Sequence, residues 1–311
     1  MKERNILVLV AVFVLLQNAV PLRAATTHSI SQNISYFGWL DQYSLDSAAY
    51  NFVGPEACVP TSATNAMTYL QNLAPGVFGS ALTGMTYETW MSADATLASA
   101  PYMNTDPDDG TDYYYVPYAL NKYIVGDKGF AFVEFSGMYP IDYWGPAPYD
   151  KPSYITDGTP TMEFLLNALT ANKAILFGIR YAEGGGHALL AGGIDWTDLN
   201  DDGIIQQSEN AHLSFVDPLD PSATYNDGQP SGFAKFTQGH IWNKDDLLTG
   251  TLQLDYSQYA GTLPYTSGNY SMTGAASIDV AFVVAVPEPS VGFLLSGGLM
   301  TVLVFCRQRR K

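Results

Sequence analysis

Three scarcities frame this sequence. Its 311 residues include two cysteines, Cys58 and Cys306, and four histidines, at positions 28, 187, 212 and 240. Basic residues are also few, with 14 Lys and Arg against 30 Asp and Glu, a net charge of -16. So acidic a surface argues against nucleic acid and anionic membranes as partners. Long apolar runs are confined to the two ends, at 6–16 and 291–305. No internal repeat is present. Disorder is a poor description too, because 47% of the residues are hydrophobic and 13% aromatic.

The two ends read as addresses. Lys2 and Arg4 precede the first apolar run, and the small residues Ala24 and Ala25 follow it. That is the plan of a secretory signal over residues 1–25. At the other end stands Val286-Pro287-Glu288-Pro289-Ser290, then the apolar run, then Arg307, Arg309, Arg310 and Lys311. This three-part tail, 286–311, resembles the PEP-CTERM sorting signal of Gram-negative bacteria. The resemblance implies processing by an exosortase, transient insertion in the inner membrane, and a final place at the cell surface or in the extracellular matrix. Its apolar run is short for a permanent anchor, since spanning takes roughly 17–25 residues.

Without the two ends about 260 residues remain, enough for one large domain over 26–285. The ends carry seven basic and two acidic residues, so Lys and Arg fall from 14 to 7 and Asp and Glu from 30 to 28. The net charge becomes -21. Such a domain suits an exported protein that meets divalent cations. Because Cys306 belongs to the tail, Cys58 is left as a lone thiol in an oxidising place, which points to intermolecular pairing or a reactive sulfur.

Along the chain, 26–50 reads as a leading arm or short strands. The stretch Gly54-Pro55-Glu56-Ala57-Cys58-Val59-Pro60 reads as a loop turning into a helix. Pro60 suits a first turn, and Ala63, Ala66, Met67 and Leu70 recur at helical spacing. Helices are also expected over 86–98 and 113–124, and a strand over 130–135. A Pro- and Tyr-rich loop follows at 137–157. Met162, Leu165, Leu166 and Leu169 mark the clearest helix, with Thr159 as its cap and Pro160 at its first position. Strands are expected over 174–181, 187–194, 211–217, 251–254 and 278–285. A helix-rich front half and a strand-rich back half predict an α+β domain.

Three residues carry chemistry in this pattern. A thiol at a helix N-terminus feels the positive end of the backbone dipole, so Cys58 is placed as a nucleophile. A buried inert cysteine is the alternative. His187 follows Gly184, Gly185 and Gly186 and opens an apolar strand, where glycines let a substrate backbone come close. Asp217 shares a strand face with Ala211, Leu213 and Phe215, so its carboxylate falls on the apolar side and needs a partner. Nucleophile, base and orienter then stand in the order Cys, His, Asp.

The segments EACVPTSATNAMTYL and GGGHALLAGGID…LSFVDP resemble the Cys and His boxes of papain-like cysteine peptidases. They are most similar to the bacteriocin-leader (double-glycine) peptidases and the streptococcal immunoglobulin-cleaving proteases. The resemblance implies a papain-like fold, with a nucleophile helix packed on an antiparallel sheet. It implies Cys58 as nucleophile, His187 as general base, Asp217 as its orienter, and a protein or peptide as substrate. The family's oxyanion-stabilising Gln lies about six residues before the Cys, where this chain has Phe52. Asn51 is the nearest amide, and Gln42 a more distant one.

Asp198-Leu199-Asn200-Asp201-Asp202-Gly203-Ile204-Ile205-Gln206-Gln207-Ser208-Glu209 matches the EF-hand calcium-loop pattern at every specified position. Asp198, Asn200, Asp202 and Glu209 would offer side-chain oxygens to Ca²⁺, and Ile204 its carbonyl. Flanking strands make this a calcium loop without the helix pair, and a bound ion would brace the link between His187 and Asp217. The expectation is an exported cysteine peptidase with a structural or regulatory calcium loop. Its rivals are a non-catalytic calcium-binding matrix protein on an inactive peptidase scaffold and, among enzymes, a transglutaminase-like protein.

Overall fold

Packing centres on one helix and one barrel. The computed structural model describes residues 25–45, 53–144, 149–182, 184–219, 222–224, 230–244, 251–256 and 275–287. Nearly all of the signal segment, Asn51 and nearly all of the sorting tail, Cys306 included, lie outside them. Among the described residues no helix is long and apolar enough to cross a membrane.

Strand β1 (Thr26–Ser31) leads through short 3-10 turns to helix α1 (Cys58–Leu73). A one-turn helix α2 (Pro75–Phe78), α3 (Tyr87–Ala98) and α4 (Tyr115–Leu120) follow, the last widening into π-turns over Asn121–Asp127. Then come β2 (Glu134–Tyr139), β3 (Ile155–Asp157), α5 (Met162–Thr170), β4 (Ala174–Arg180) and β5 (Gly186–Asp198). The back half holds β6 (His212–Val216), β7 (Ser222–Thr224), β8 (Pro230–Ala234), β9 (Thr237–Asn243), β10 (Leu252–Asp255) and β11 (Ala275–Ala285). The α+β expectation holds.

Helix α1 is buried on almost every side, so its polar residues must find partners inside. Most do so across the fold, the Thr64 hydroxyl being without a partner among the described residues. Asn65 exchanges two hydrogen bonds with the main chain of Leu40, at 2.9 and 3.0 Å. Gln71 accepts from the amides of Leu82 and Thr83, both at 3.1 Å, and donates to the carbonyl of Gly84 at 2.7 Å. These bonds clamp the front half around α1. The helix stops at Leu73, two residues before Pro75, which disfavours helical backbone in the residue before it.

Strands β4, β5, β6, β9, β10 and β11 pair antiparallel in a closed circuit, a six-stranded barrel. Closure needs strands that bend, and irregularities in β5 between Ala191 and Gly193 and in β11 between Ile278 and Val280 provide it. A Cβ on Gly192 would stand 2.2 Å from the ring of Phe236, so the β5 bend tolerates no side chain there. Phe177, Ile179, Leu189, Phe215, Leu254 and Ile278 belong to the interior core, each at most 1% exposed. The alternate residues Leu176, Ala188 and Leu190 belong to a second core that includes Ala63, Ala66 and Met67 of α1. Strand β1 extends the sheet from β5, and β2 and β3 extend it from β11.

Three local expectations are corrected. The cap of α5 is Thr161, whose hydroxyl accepts from the amide of Phe164 at 3.2 Å, so Thr159 and Pro160 lie ahead of the helix. The strand expected over 130–135 begins at Glu134, because Phe130 and Phe132 turn instead to pack on Phe78. The stretch expected as a loop over 137–157 holds the end of β2 and the short β3. Of the described strands in 218–285, β9, β10 and β11 complete the barrel, and β7 and β8 pair as a separate two-stranded sheet.

Candidate active site

The 3-10 turn Gly54–Glu56 delivers the chain into α1, whose first residue is Cys58. Helical geometry leaves the first N–H groups without intrahelical acceptors, so the sulfur sits beside donors suited to a developing negative charge. Cys58 is a free, half-buried thiol. Its helix packs across β4 and β5, and the head of β5 carries His187. A tight turn makes that placement possible. Gly184 and Gly185 take positive φ values of 99° and 77°, which glycine adopts without strain.

His187 is 3% exposed and Asp217 fully buried. The imidazole Nε2 lies 2.9 Å from Oδ1 of Asp217. Since Nε2 is taken, Nδ1 is the nitrogen left for the sulfur of Cys58, which lies close enough to bear on the charge of the ring. Burial alone would lower the His187 pKa. The Asp217 charge, the hydrogen bond to it and the Cys58 contacts outweigh burial and push it up to about 10. A protonated imidazole beside a sulfur is the arrangement that supports a thiolate. The alternation read from the sequence explains Asp217: Ala211, Leu213 and Phe215 all belong to the barrel core, and the carboxylate continues their row.

Asp217 has further partners that the sequence did not announce. The amide of Leu219 donates to Oδ1 at 2.9 Å, and the hydroxyl of Tyr256 donates to Oδ2. The ring of Tyr256 lies 5.9 Å from that of His187 and 6.1 Å from that of Tyr181. The hydroxyl of Tyr181 is buried, without a hydrogen-bond partner among the described residues, and within the electrostatic reach of Asp217 and Cys58. Tyr113 donates to the main-chain carbonyl of His187 at 2.9 Å. No spacing rule links a tyrosine at 113 or 256 to a histidine at 187. Only the buried Asp signalled that donors must exist.

Of the two amides offered as oxyanion donors, Asn51 lies outside the described residues. Gln42 is 2% exposed, and its main-chain N–H donates to the carbonyl of Pro218 at 3.0 Å, which ties it to the corner that follows Asp217. The rim on the Cys58 side is acidic. Glu56 stands beside Gly110, and its carboxyl is raised first by burial and then by Asp109, with Asp108 adding and His187 opposing. The acidic stretch 104–112 forms a turn in which Asp106 accepts from the amides of Asp108 and Asp109. His212 lies apart from the triad, 3.6 Å from Asp195.

The loop between β5 and β6 curls on itself. Asp198, 1% exposed, accepts from the amides of Asn200 and Asp202 at 3.2 Å and of Gly203 at 2.8 Å. Burial opposes its charge, but these amides and that of Asp201 hold its pKa below the usual carboxylate range. Asp202 accepts from Ile204 at 2.8 Å and from the Asn200 side-chain amide at 2.8 Å. Glu209 reaches back from the far end to accept from Leu199 and Gln206, each at 2.9 Å. Gly203 has φ 74°, the sharp turn that the pattern demands. The donors are all hard oxygens, which fits calcium chemistry. Among the described residues no group of three or more His, Cys, Asp or Glu side chains is gathered as a metal site.

No family model matches this chain, and no curated protein does either.

Proposed function

We propose that this protein is a papain-like cysteine peptidase, or a closely related amide-bond hydrolase, exported and sorted through its C-terminal tail. One observation carries the reading: Cys58 at a helix N-terminus bears on the charge of a buried His187, whose Nε2 is hydrogen-bonded to a buried Asp217. The proton of Cys58 rests on Nδ1 of His187, and the thiolate attacks the carbonyl carbon of the scissile amide. As the C–N bond breaks, His187 gives that proton to the leaving amine. Water then attacks the thioester, losing a proton to His187, and the acid leaves as Cys58 regains it. Asp217 fixes the ring tautomer and stabilises the imidazolium throughout. The first amides of α1 and the side chain of Gln42 are assigned to the oxyanion, a donor worth roughly 10²–10³ in rate. The papain-like fold is inferred from the same features, a nucleophile helix laid across a barrel that carries the His and the Asp.

Asp198, Asn200, Asp202, Glu209 and the carbonyl of Ile204 would hold a calcium ion that stiffens the β5–β6 connection. The chain's own residues perform every catalytic step. The test is hydrolysis of a denatured protein mixture by the purified protein, with and without Ca²⁺, beside Cys58→Ala. Cleavage lost in the variant supports the reading. Amine incorporation into protein in place of cleavage would favour a transglutaminase-like activity. A folded, calcium-bound protein without either activity would favour the matrix-protein role.

A further inference from the structure

We propose that Tyr256 is a positioning residue of this site, its hydroxyl holding the Asp217 carboxylate in the orientation that presents Oδ1 to His187. The proposal rests on the peptidase reading above. A carboxylate turns readily about its last side-chain bond, because that torsion is broad. Oδ1 of Asp217 is fixed by two donors, Nε2 of His187 and the amide of Leu219, both at 2.9 Å. Oδ2 is held by Tyr256. Asp217 is fully buried, so water does not stand in for a lost donor without entering the barrel.

Tyr256 is itself held. It is 1% exposed, directly after β10, and its ring stacks on Phe215 at 6.1 Å with an interplanar angle of 30°. The donor therefore comes from a strand that is not a neighbour of β5, and it reaches the carboxylate only because the barrel closes. The groups facing His187 are Cys58 and Glu56 from the front turn and α1, Tyr113 and Tyr181 at its flanks, Asp217 from the end of β6 and Tyr256 from the end of β10. Only Asp217 carries the negative charge that offsets burial of the ring most strongly. If that carboxylate swings away, burial prevails and the imidazolium loses its support.

The experiment compares wild type with Tyr256→Phe and Tyr256→His in the purified protein. It reads the titration of the His187 ring by NMR and the alkylation rate of Cys58 by iodoacetamide against pH. Neither readout needs a substrate. In Tyr256→Phe the His187 titration is expected to fall by about one pH unit, with Cys58 alkylation at neutral pH slower by roughly tenfold. Tyr256→His, which keeps a ring donor in a poorer shape, is expected to recover part of both. A residue that merely packs would give the opposite order, with the Phe variant indistinguishable from wild type and the His variant worse. That order, with a reactive Cys58 in wild type, overturns the role of Tyr256 and leaves the peptidase reading standing. A wild-type His187 that titrates at the ordinary imidazole value, beside an ordinary thiol, overturns both.

Discussion

The hydroxyl of Ser62, four residues beyond Cys58, donates to the main-chain carbonyl of Ala188, the residue after His187, at 3.0 Å. Tyr113 holds the preceding carbonyl, that of His187, at 2.9 Å. Two consecutive carbonyls of β5 are thus pinned from outside the barrel, one by the helix that carries Cys58. The bond fixes the distance between helix and strand, and the sulfur and imidazole inherit it.

Removing the first pin should loosen that distance. Ser62→Ala leaves a buried carbonyl short of a donor, at a cost of about 1–2 kcal/mol in urea unfolding. Because the loss falls between Cys58 and His187, on the proposed peptidase reading kcat should drop with KM little changed. A rate equal to wild type would show that the barrel and α1 keep their spacing without Ser62.

Tyr113 depends on Gly178, which has no side chain to obstruct its ring. A Cβ there would stand 2.2 Å from Cζ and 2.4 Å from the hydroxyl oxygen. Gly178→Ala should therefore displace Tyr113 and destabilise the fold by about 1–3 kcal/mol, the usual cost of overpacking. Thermal unfolding measures it. A variant as stable as wild type would mean that Tyr113 moves freely aside.

Asp94 should set a pH dependence of stability. It is fully buried, accepts a hydrogen bond from Thr61 of α1 at 2.9 Å, and its other oxygen has no partner among the described residues. Burial raises its pKa well above the ordinary carboxylate value, with the Thr61 bond opposing. The folded state thus keeps a proton that the unfolded state releases. Its contribution is complete below the unfolded value, near pH 4, and is lost as pH rises toward the folded value. Asp94→Asn keeps an acceptor for Thr61 and removes the ionisation. In urea denaturation the variant should match wild type near pH 4 and exceed it at pH 8. Parallel curves across that range would refute the assignment.

Calcium at the β5–β6 loop should appear as a ligand-dependent stability. At a free concentration of about 100 times Kd, an ion that binds only the folded state adds about 2.7 kcal/mol. Tm should rise with Ca²⁺ and return on chelation. Asp202→Asn removes one ligand charge from an exposed position and should weaken that rise while leaving the calcium-free Tm near wild type. A Tm indifferent to Ca²⁺ in the wild type would exclude the ion.

The sequence by itself determined the pieces that short-range physics controls. A proline in the first turn and apolar residues at helical spacing placed Cys58 at the head of α1. Period-two alternation put Asp217 on the apolar side of its strand, and three glycines marked the turn before His187. The sharp turn of the loop over 198–209 was legible for the same reason, since Gly203 and the short-range bonds to Asp198 lie within a few residues of one another. Where a boundary depended on side chains meeting at a distance, local pattern failed: Phe130 and Phe132 left the strand for Phe78, and Thr161 displaced Thr159 as the cap of α5. Only the tertiary structure decided that six strands close into a barrel, that Tyr256 reaches Asp217 across 39 positions of chain, and that Tyr113 and Ser62 brace β5 from the helical side. A buried carboxylate requires donors, but which residues supply them depends on register and closure, and no spacing in the sequence encodes those.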